Sequence, residues 1–301
     1  MNKEYISKQL KNLLGEENVF CNEPMSKHCT FRIGGEAAFF VTPCSSEQIA
    51  SAVDFAKKED IPYFVTGNGS NLLISDDGYD GIIINIGKNM SDVVVEGTTI
   101  KAMAGATLAK IAGAAAAKGL TGLEFASGIP GTLGGAVYMN AGAYGGEMKD
   151  VVVSTTYLDA DGCIREMTGS NHSFGYRTSA FTGGGIVLSS VMELKEGNKD
   201  EINALMAELN NRRRTKQPLE YPSAGSTFKR PEGYFAGKLI EDAGLRGYSI
   251  GDACVSEKHC GFVVNKGNAT CKDILALIAY VQKTVYEKFS VKLETEVKFL
   301  G

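Results

Sequence analysis

The chain has 301 residues, enough for two or three domains, and its 44% hydrophobic content is ample for buried cores. The formal net charge is −4, so no overall positive field attracts nucleic acid or an anionic membrane surface, and any phosphate site must be local. The N-terminal residues mix Lys and Glu among apolar positions, and no apolar run reaches the length of a membrane span. We therefore expect a cytoplasmic protein with no membrane and no nucleic-acid partner.

Seven cysteines and three histidines show no metal-ligand spacing. The cysteines are odd in number and contain no CxxC pair, and His28, His172 and His259 are far apart in the chain. Structural zinc needs paired ligands at short spacing. We expect buried reduced thiols and no bound metal.

After an N-terminal helix, the sequence predicts a strand, a helix and a second strand that can form a parallel unit, and then the turn GNGSNL at residues 67–72. Its glycines match the start of a dinucleotide fingerprint, but Leu72 stands where the third glycine should be, and no acidic ribose partner follows at the expected distance. The turn fits an anion-binding nest of backbone N–H groups. An ordinary strand-to-strand turn explains the same residues equally well.

A glycine-rich stretch at residues 122–146 contains eight glycines and a single carboxylate, Glu124. Apolar side chains alternate with the glycines, which is not the composition of a flexible linker. Because glycine lets the backbone approach a ligand closely, the stretch predicts amides wrapped around a flat, phosphorylated ligand. Tight packing without a ligand is the alternative. A helix that begins near Pro130 would offer its N-terminal N–H groups to a phosphate.

The polar run at residues 195–200 marks the predicted domain boundary. We expect one region over residues 1–197 and a second region over residues 198–301. The second region is predicted to open with a helix at about residues 201–214.

The helix of the second region ends in a basic cluster at residues 212–216, which is explained either by a solvated helix end or by phosphate contacts. The small residues and basic pair of AGSTFKRP follow at 224–231. A long helix is predicted at 271–288, and a last strand at 296–300.

Six motifs occur together in one order: TFRIGG at 30–35, GNGSNLL at 67–73, SGIPGTLGGAVYMNAGAYGGE at 127–147, YRTS at 176–179, AGSTFKRP at 224–231 and EVKFLG at 296–301. The chain closely resembles the bacterial UDP-N-acetylenolpyruvoylglucosamine reductases over essentially its whole length. The resemblance implies an α+β fold with a vanillyl-alcohol-oxidase or PCMH-type FAD-binding region of two α+β subdomains, its core at about 30–195, and a C-terminal α/β substrate domain. The short connection after Arg177 resembles the shorter family type, which lacks a tyrosine-bearing loop insertion.

The resemblance also implies the ligands. They are non-covalent FAD, NADPH as hydride donor, and UDP-N-acetylglucosamine enolpyruvate, which is reduced to the peptidoglycan precursor UDP-N-acetylmuramate. Loop amides from two segments would hold FAD, which accounts for the incomplete dinucleotide fingerprint. The implied cofactor-binding residues are Gly67, Asn68, Gly69, Ser70, Asn71, Ser127, Ile129, Pro130, Gly131, Thr132, Gly134, Gly135, Asn140, Ala143 and Tyr144.

Three residues match the catalytic positions of the family. Arg177 would stabilise charge on the substrate carboxylate with its two-pronged guanidinium. Ser226 would donate a proton to the α-carbon, with Lys229 stabilising the alkoxide that remains. Glu296 on the last strand would hydrogen-bond the developing enolate if burial raises its pKa; Glu294 shares its strand face, so only the motif distinguishes the two.

A set of basic and polar residues is implied to bind the substrate, mostly at its diphosphate. Lys298 stands where the family usually has arginine, so the charge is kept and the bidentate geometry is lost. The substrate-binding set is Lys216, Lys229, Arg230, Tyr234, His259, Asn265 and Lys298.

Two other functions fit the same motifs. Oxidases of this flavin fold often attach flavin through His or Cys; neither lies within residues 122–146, although His172 and Cys163 are nearby in sequence. A non-catalytic flavin or nucleotide-sugar sensor is the third possibility. The presence of Arg177, Ser226 and Glu296 together argues against a sensor.

Overall fold

The computed structural model describes residues 2–301, and its helices follow the capping and periodicity signals of the sequence. The helices are α1 (Lys3–Leu14), α2 (Ser46–Lys58), α3 (Leu108–Ala117), α4 (Leu133–Tyr138), α5 (Lys199–Lys216), α6 (Ala236–Asp242) and α7 (Cys271–Phe289). Helix α7 begins with a capping box, in which Thr270 and Asp273 each accept a hydrogen bond from the backbone N–H of the other. Its buried residues recur with helical period from Cys271 to Val285, so one face packs inward.

Short strands connect these helices. They are β1 (Val19–Pro24), β2 (Glu36–Val41), β3 (Tyr63–Thr66), β4 (Leu72–Ile74), β5 (Tyr79–Asn85), β6 (Val93–Glu96), β7 (Thr99–Met103), β8 (Leu120–Thr121), β9 (Gly142–Ala143), β10 (Gly146–Glu147), β11 (Val152–Leu158), β12 (Ile164–Thr168), β13 (Ile186–Glu193), β14 (Lys195–Glu196), β15 (Ser249–Ile250), β16 (Ala253–Val255), β17 (Val263–Asn265) and β18 (Lys298–Leu300).

The largest sheet has five strands in the order β12-β11-β13-β7-β6, and each neighbouring pair is antiparallel. A four-stranded sheet has the order β1-β2-β5-β3. Strand β3 pairs parallel with β5, so β2 and β3 share a sheet but are not neighbours as a simple strand-helix-strand unit would make them. Strand β5, which comes later in the chain, lies between the two strands, and the parallel orientation of β2 and β3 stays a prediction. Ile82, Ile83 and Ile84 of β5 are fully buried, which is typical of an inner strand.

By internal contacts the chain forms two compact units. The first comprises the residues up to Cys21, Phe39–Asn68 and Gly81–Arg212; the second comprises Asn22–Ala38, Gly69–Asp80 and Arg213–Gly301. Two segments of the second unit therefore precede residue 198 in the chain. The predicted division at residue 198 concerns which region binds which ligand, and it stays a prediction.

Some of the cysteines are buried and the others are exposed. Cys29, Cys254, Cys260 and Cys271 are buried, while Cys21, Cys44 and Cys163 are exposed, so the expectation of burial is wrong for these three. Within residues 2–301, no three His, Cys, Asp or Glu residues are grouped as metal ligands. No helix in the same range has the length and apolar character needed to cross a membrane.

Candidate active site

Gly67 and Asn68, which begin the turn at residues 67–70, lie directly against the glycine-rich stretch within the first unit. A Cβ atom at Gly67 would be 2.2 Å from Thr132 Oγ1, so only glycine fits there without displacement. Asn68 Nδ2 donates a hydrogen bond to Pro130 O at 3.3 Å. Asn85 Nδ2 donates to Gly67 O at 2.8 Å and holds the turn at the end of the sheet.

Three consecutive N–H groups of this turn are open. Among residues 2–301, no protein acceptor binds the backbone N–H of Asn68, Gly69 or Ser70. Gly69 has φ +59°, and a Cβ there would lie 2.2 Å from His28 O, so this position also requires glycine. Open amides in succession suit an anion, which favours the nest over an ordinary turn.

The start of helix α4 offers fewer donors than predicted. Leu133 N–H donates to Ala106 O and Gly134 N–H donates to Ala104 O, both at 2.8 Å. The prediction of open N-terminal amides is therefore wrong for these two residues, because a neighbouring segment crosses close enough to bind them. Within residues 2–301, the N–H groups of Gly131, Thr132 and Gly135 have no protein acceptor.

A buried carboxylate shapes the chain before this helix. Glu124 is 7% exposed; its Oε1 accepts from Thr121 Oγ1 at 2.6 Å and its Oε2 accepts from Gly122 N–H at 2.8 Å. Ser127 Oγ donates to Glu124 O at 2.9 Å and accepts from Asn210 Nδ2 of α5 at 3.2 Å. These contacts fix Ser127, a predicted cofactor residue, through Asn210, which the sequence did not single out.

Arg177 lies in a tight two-residue turn. Gly175 and Thr178 exchange backbone hydrogen bonds of 3.0 Å and 3.4 Å across it. Arg177 has φ +56°, a left-handed conformation that costs a non-glycine residue about 1–2 kcal/mol. Its Nη2 donates to Gly142 O at 3.2 Å, and its guanidinium lies 5.1 Å from the ring centroid of Tyr176. Contacts outside the turn must offset the backbone strain.

Asn140 supplies such a contact. Its side chain is almost fully buried, and its Nδ2 donates to Gly175 O at 3.0 Å and to Glu147 Oε2 at 2.9 Å. Its Oδ1 accepts from Lys149 N–H at 2.9 Å. The pKa of the Glu147 carboxyl lies below its usual value, chiefly because of the hydrogen bond with Lys149, with Asn140 acting in the same direction. The carboxylate therefore remains a charged acceptor for the Asn140 amide.

In the second unit, Ser226 precedes a buried residue that is held from two directions. Thr227 N–H donates to Gly261 O at 2.9 Å, and Thr227 Oγ1 accepts from Val263 N–H at 2.9 Å. Ser226 itself is exposed. The segment thus presents the Ser226 side chain on a backbone that strand β17 helps to fix.

Glu296 approaches the same segment through its backbone. Its N–H donates to Thr227 O at 2.9 Å, and Phe228 and Thr295 form an isolated antiparallel bridge. Strand β18 begins only at Lys298, so the prediction that Glu296 lies on the last strand is wrong. The reason is that residues 295 and 296 pair with residues 227 and 228, whereas β18 pairs with β4.

The two candidate carboxylates differ in environment. Glu294 is exposed and its Oε2 lies 3.1 Å from Lys229 Nζ, while Glu296 is half-buried. The structure thus separates residues that sequence spacing left equivalent. It also pairs the charge of Lys229 with Glu294, which competes with its predicted role beside Ser226.

The remaining predicted substrate residues differ in whether their side chains contact other protein groups or are exposed to solvent. Arg230 stacks on Phe235 with 4.0 Å between guanidinium carbon and ring centroid, and its Nε donates to Tyr234 O at 3.3 Å. The side chains of Lys216 at the end of α5, Lys298 on β18 and Tyr234 are exposed. Of these three, Lys216 and Lys298 carry exposed ammonium groups that suit a diphosphate.

The side chains of His259 and Asn265 form hydrogen bonds with backbone groups. His259 Nδ1 accepts from Gly261 N–H at 3.1 Å, and burial lowers the pKa of the imidazole. Asn265 is buried; its Nδ2 donates to Phe31 O at 3.2 Å, and its Oδ1 accepts from the N–H groups of Gly267 and Ala269. These bonds favour a role in holding loops for Asn265.

Comparisons with known proteins identify the family. The family described as "UDP-N-acetylenolpyruvoylglucosamine reductase, C-terminal domain" matches residues 217–300, and an FAD binding domain family matches residues 37–168. The chain is 52% identical to a UDP-N-acetylenolpyruvoylglucosamine reductase of Clostridioides difficile over 302 residues, covering 100% of this chain and 99% of that protein. A reductase of the same name from Caldanaerobacter subterraneus is 52% identical over 299 residues and covers 99% of each chain.

Comparison with solved structures supports the same family. A crystal structure of UDP-N-acetylenolpyruvylglucosamine reductase from Thermus caldophilus superposes with a TM-score of 0.82 at 36% identity, covering 93% of this chain and 98% of that one. A glucose dehydrogenase, Phl p 4.0202, matches at 16% identity and a TM-score of 0.52 over 63% of this chain and 44% of that one, which shows a shared fold alone. The predicted resemblance and the PCMH-type FAD-binding fold with its C-terminal domain are confirmed. The chain belongs to the UDP-N-acetylenolpyruvoylglucosamine reductase family and is an FAD-dependent oxidoreductase.

Proposed function

We propose that this enzyme uses NADPH to reduce the enolpyruvyl ether of UDP-N-acetylglucosamine enolpyruvate to UDP-N-acetylmuramate. The observation that carries the proposal is the 52% identity to a reductase of this name across the full length of both chains. By the resemblance described in the sequence analysis, Arg177, Ser226 and Glu296 match the family's catalytic positions. Because NADPH and nucleotide sugars are cytoplasmic metabolites, we place the reaction in the cytoplasm.

The residues of the turn at 67–70 and of the glycine-rich stretch suit FAD. When bound, FAD supplies the redox chemistry by carrying a hydride from NADPH to the vinyl carbon. The open N–H groups of residues 68–70 and of Gly131, Thr132 and Gly135 would hold its pyrophosphate. Glycine at 67 and 69 leaves no Cβ in the way. We propose non-covalent attachment, since the glycine-rich stretch contains no His or Cys.

Arg177 would stabilise the negative charge that the reaction creates. Hydride addition to the vinyl carbon places negative charge on the α-carbon and the carboxylate oxygens. A guanidinium stays protonated and offers two parallel donors to a carboxylate, so Arg177 would stabilise this charge. Glu296, half-buried on a fixed backbone, would bind the same group as a hydrogen-bond donor when protonated.

Ser226 would complete the reduction. The O–H bond of Ser226 breaks as a C–H bond forms at the α-carbon, whose electron pair takes the proton. Water then returns a proton to the serine oxygen. The exposure of Ser226 beside the fixed Thr227 supports this role, because the hydroxyl is accessible while its backbone is held.

The exposed cations of the second unit would bind the diphosphate. Lys216, Arg230 and Lys298 are the principal candidates, and Tyr234 and His259 are candidates for nearby polar contacts. Lys229 would contribute once substrate phosphate competes with Glu294 for its ammonium. Lys298 would act as a point charge rather than a bidentate clamp.

An anaerobic titration tests the proposal. The purified holoenzyme should be yellow, bleach with NADPH, and recolour on addition of UDP-N-acetylglucosamine enolpyruvate without oxygen. Recolouring only in air would instead show an oxidase. Protein that stays colourless after incubation with FAD would refute the cofactor assignment.

A further inference from the structure

The conformation of Arg177 is held by a residue outside its own turn. Arg177 is left-handed at φ +56°, and the two hydrogen bonds that close the turn join only its ends, Gly175 and Thr178. The carbonyl of Gly175 receives a further bond from Asn140 Nδ2 at 3.0 Å. Asn140 therefore connects the turn to the end of the glycine-rich stretch, within the same compact unit.

The surroundings of Asn140 determine which way its amide faces. Gly175 O and Glu147 Oε2 are both acceptors, so the NH2 group must face them, while Oδ1 faces the Lys149 N–H. The residue itself is left-handed at φ +44°, which asparagine tolerates better than most residues. Aspartate could keep this backbone, yet it would turn a carboxylate oxygen toward two acceptors. The site is specific for an amide.

A glycine makes room for the second acceptor. A Cβ at Gly142 would lie 2.7 Å from Glu147 Cγ, so any larger residue would displace the carboxylate. The carbonyl of the same Gly142 accepts the bond from Arg177 Nη2 at 3.2 Å. Asn140 thus contacts the backbone of the arginine turn, meaning residues 175–178, Gly142 contacts its arginine side chain, and Glu147 bonds the Asn140 amide.

We propose that Asn140 is a positioning residue for Arg177: its amide, oriented by Glu147, holds the arginine turn in the conformation that presents the guanidinium to the substrate carboxylate. The residue was predicted from the family resemblance to contact the cofactor, whereas it is buried and one of its three hydrogen bonds reaches the turn that carries Arg177. The inference rests on the role proposed above for Arg177.

The test compares half-reactions of the holoenzyme in Asn140→Asp, Arg177→Ala and the double variant. Asn140→Asp should leave flavin reduction by NADPH within about 3-fold, and slow anaerobic reoxidation by the enolpyruvyl substrate by about 10²-fold, the effect of a misplaced group. Arg177→Ala in the Asn140→Asp background should add little further loss, because both changes remove the same interaction. Hydrogen exchange at residues 175–178 should accelerate in Asn140→Asp.

Asn18→Asp is the matched control. Asn18 is also buried in the first unit, and its Nδ2 likewise donates to a backbone carbonyl, that of Leu14, and to a carboxylate, that of Glu17. It should lower the melting temperature without changing the ratio of the two half-reactions. If Asn140→Asp fails to fold, Asn140→Gly replaces it, since glycine removes the amide and accepts the left-handed backbone without strain.

The outcomes distinguish failure of the positioning role of Asn140 from failure of the proposed role of Arg177. If Arg177→Ala slows reoxidation but Asn140→Asp does not, or if their losses simply add, the positioning role is overturned and the function of Arg177 stands. If Arg177→Ala itself leaves reoxidation unchanged, the proposed role of Arg177 fails and the inference fails with it. Equal loss in Asn140→Asp and Asn18→Asp would also overturn the inference.

Discussion

Two regions that carry the proposed chemistry are held in opposite ways. The arginine turn is closed by two backbone bonds between its own ends, and it is connected to other segments by side chains, chiefly the Asn140 amide, beside glycines that leave no space for Cβ. The serine segment, meaning residues 226–229 with residues 294–296, is held mainly by backbone bonds such as Thr227 N–H to Gly261 O and Glu296 N–H to Thr227 O. Side-chain changes should therefore move the backbone near the arginine turn, and change only the chemistry in the serine segment.

The largest effect is expected for Ser226→Ala. Anaerobic reoxidation by the enolpyruvyl substrate should slow by about 10²–10⁴-fold, the usual contribution of general acid catalysis, while NADPH reduces the flavin at nearly the normal rate. The melting temperature should hardly change, because Ser226 is exposed and the bonds of Thr227 remain. Stopped-flow absorbance measures both half-reactions. Equal losses in both would show that Ser226 supports the fold or the flavin, and would break the contrast.

Glu296→Ala and Glu294→Ala form a matched pair in the same segment. Glu296→Ala should slow reoxidation by about 10²-fold, since alanine removes the hydrogen-bond donor that would stabilise the developing enolate. Glu294→Ala removes only an exposed ion pair with Lys229, so the free energy of unfolding should fall by no more than about 1 kcal/mol and the reoxidation rate should be retained. A larger kinetic effect of Glu294→Ala would reverse the assignment.

Gly67→Ala tests the tightly packed region. The added Cβ would lie 2.2 Å from Thr132 Oγ1, and such overpacking should lower the free energy of unfolding by about 1–3 kcal/mol and reduce the FAD content at limiting FAD. Gly113→Ala is the control, because nothing lies within 4 Å of its Cβ position in α3 and alanine favours a helix. Thr132→Ala in the Gly67→Ala background should restore part of the stability; no recovery would mean that another contact is responsible.

The smallest effect concerns pH. Burial lowers the pKa of His259, so as pH falls below about 6.5, the unperturbed value, the unfolded chain binds a proton more readily than the folded chain. This histidine therefore contributes a loss of stability that begins near that pH and levels off below the folded-state pKa. As the pH falls from neutral to acid, the melting temperature of the wild type should fall relative to that of His259→Gln. A difference between the two melting temperatures that does not change with pH would contradict the lowered pKa of His259.

Local signals in the sequence predict much of the fold. The sequence predicts a long helix at 271–288, and α7 runs from Cys271 to Phe289. Helices α1 and α5 follow in the same way, because hydrogen bonding within a helix involves only near neighbours in the chain. The glycine-rich composition also indicates a place where backbone approaches something closely, and six ordered motifs indicate the family.

Local sequence signals did not predict the contacts between distant segments of the chain. Sequence spacing treats Glu294 and Glu296 as equivalent, whereas the structure separates them by burial and by the pairing of Glu294 with Lys229. The open amides predicted at α4 are partly closed by residues 104–106, which no local pattern reveals.

The sequence by itself determined the family, the flavin fold and the identity of the candidate groups, because composition and motif order are properties of the chain alone. Only the tertiary structure decided how those groups are held: that β5 lies between β2 and β3, that Glu296 pairs with Thr227, and that Asn140 bonds the carbonyl of Gly175. The physical reason is that each of these contacts joins segments many residues apart, so it exists only after folding has brought their backbones within hydrogen-bonding distance.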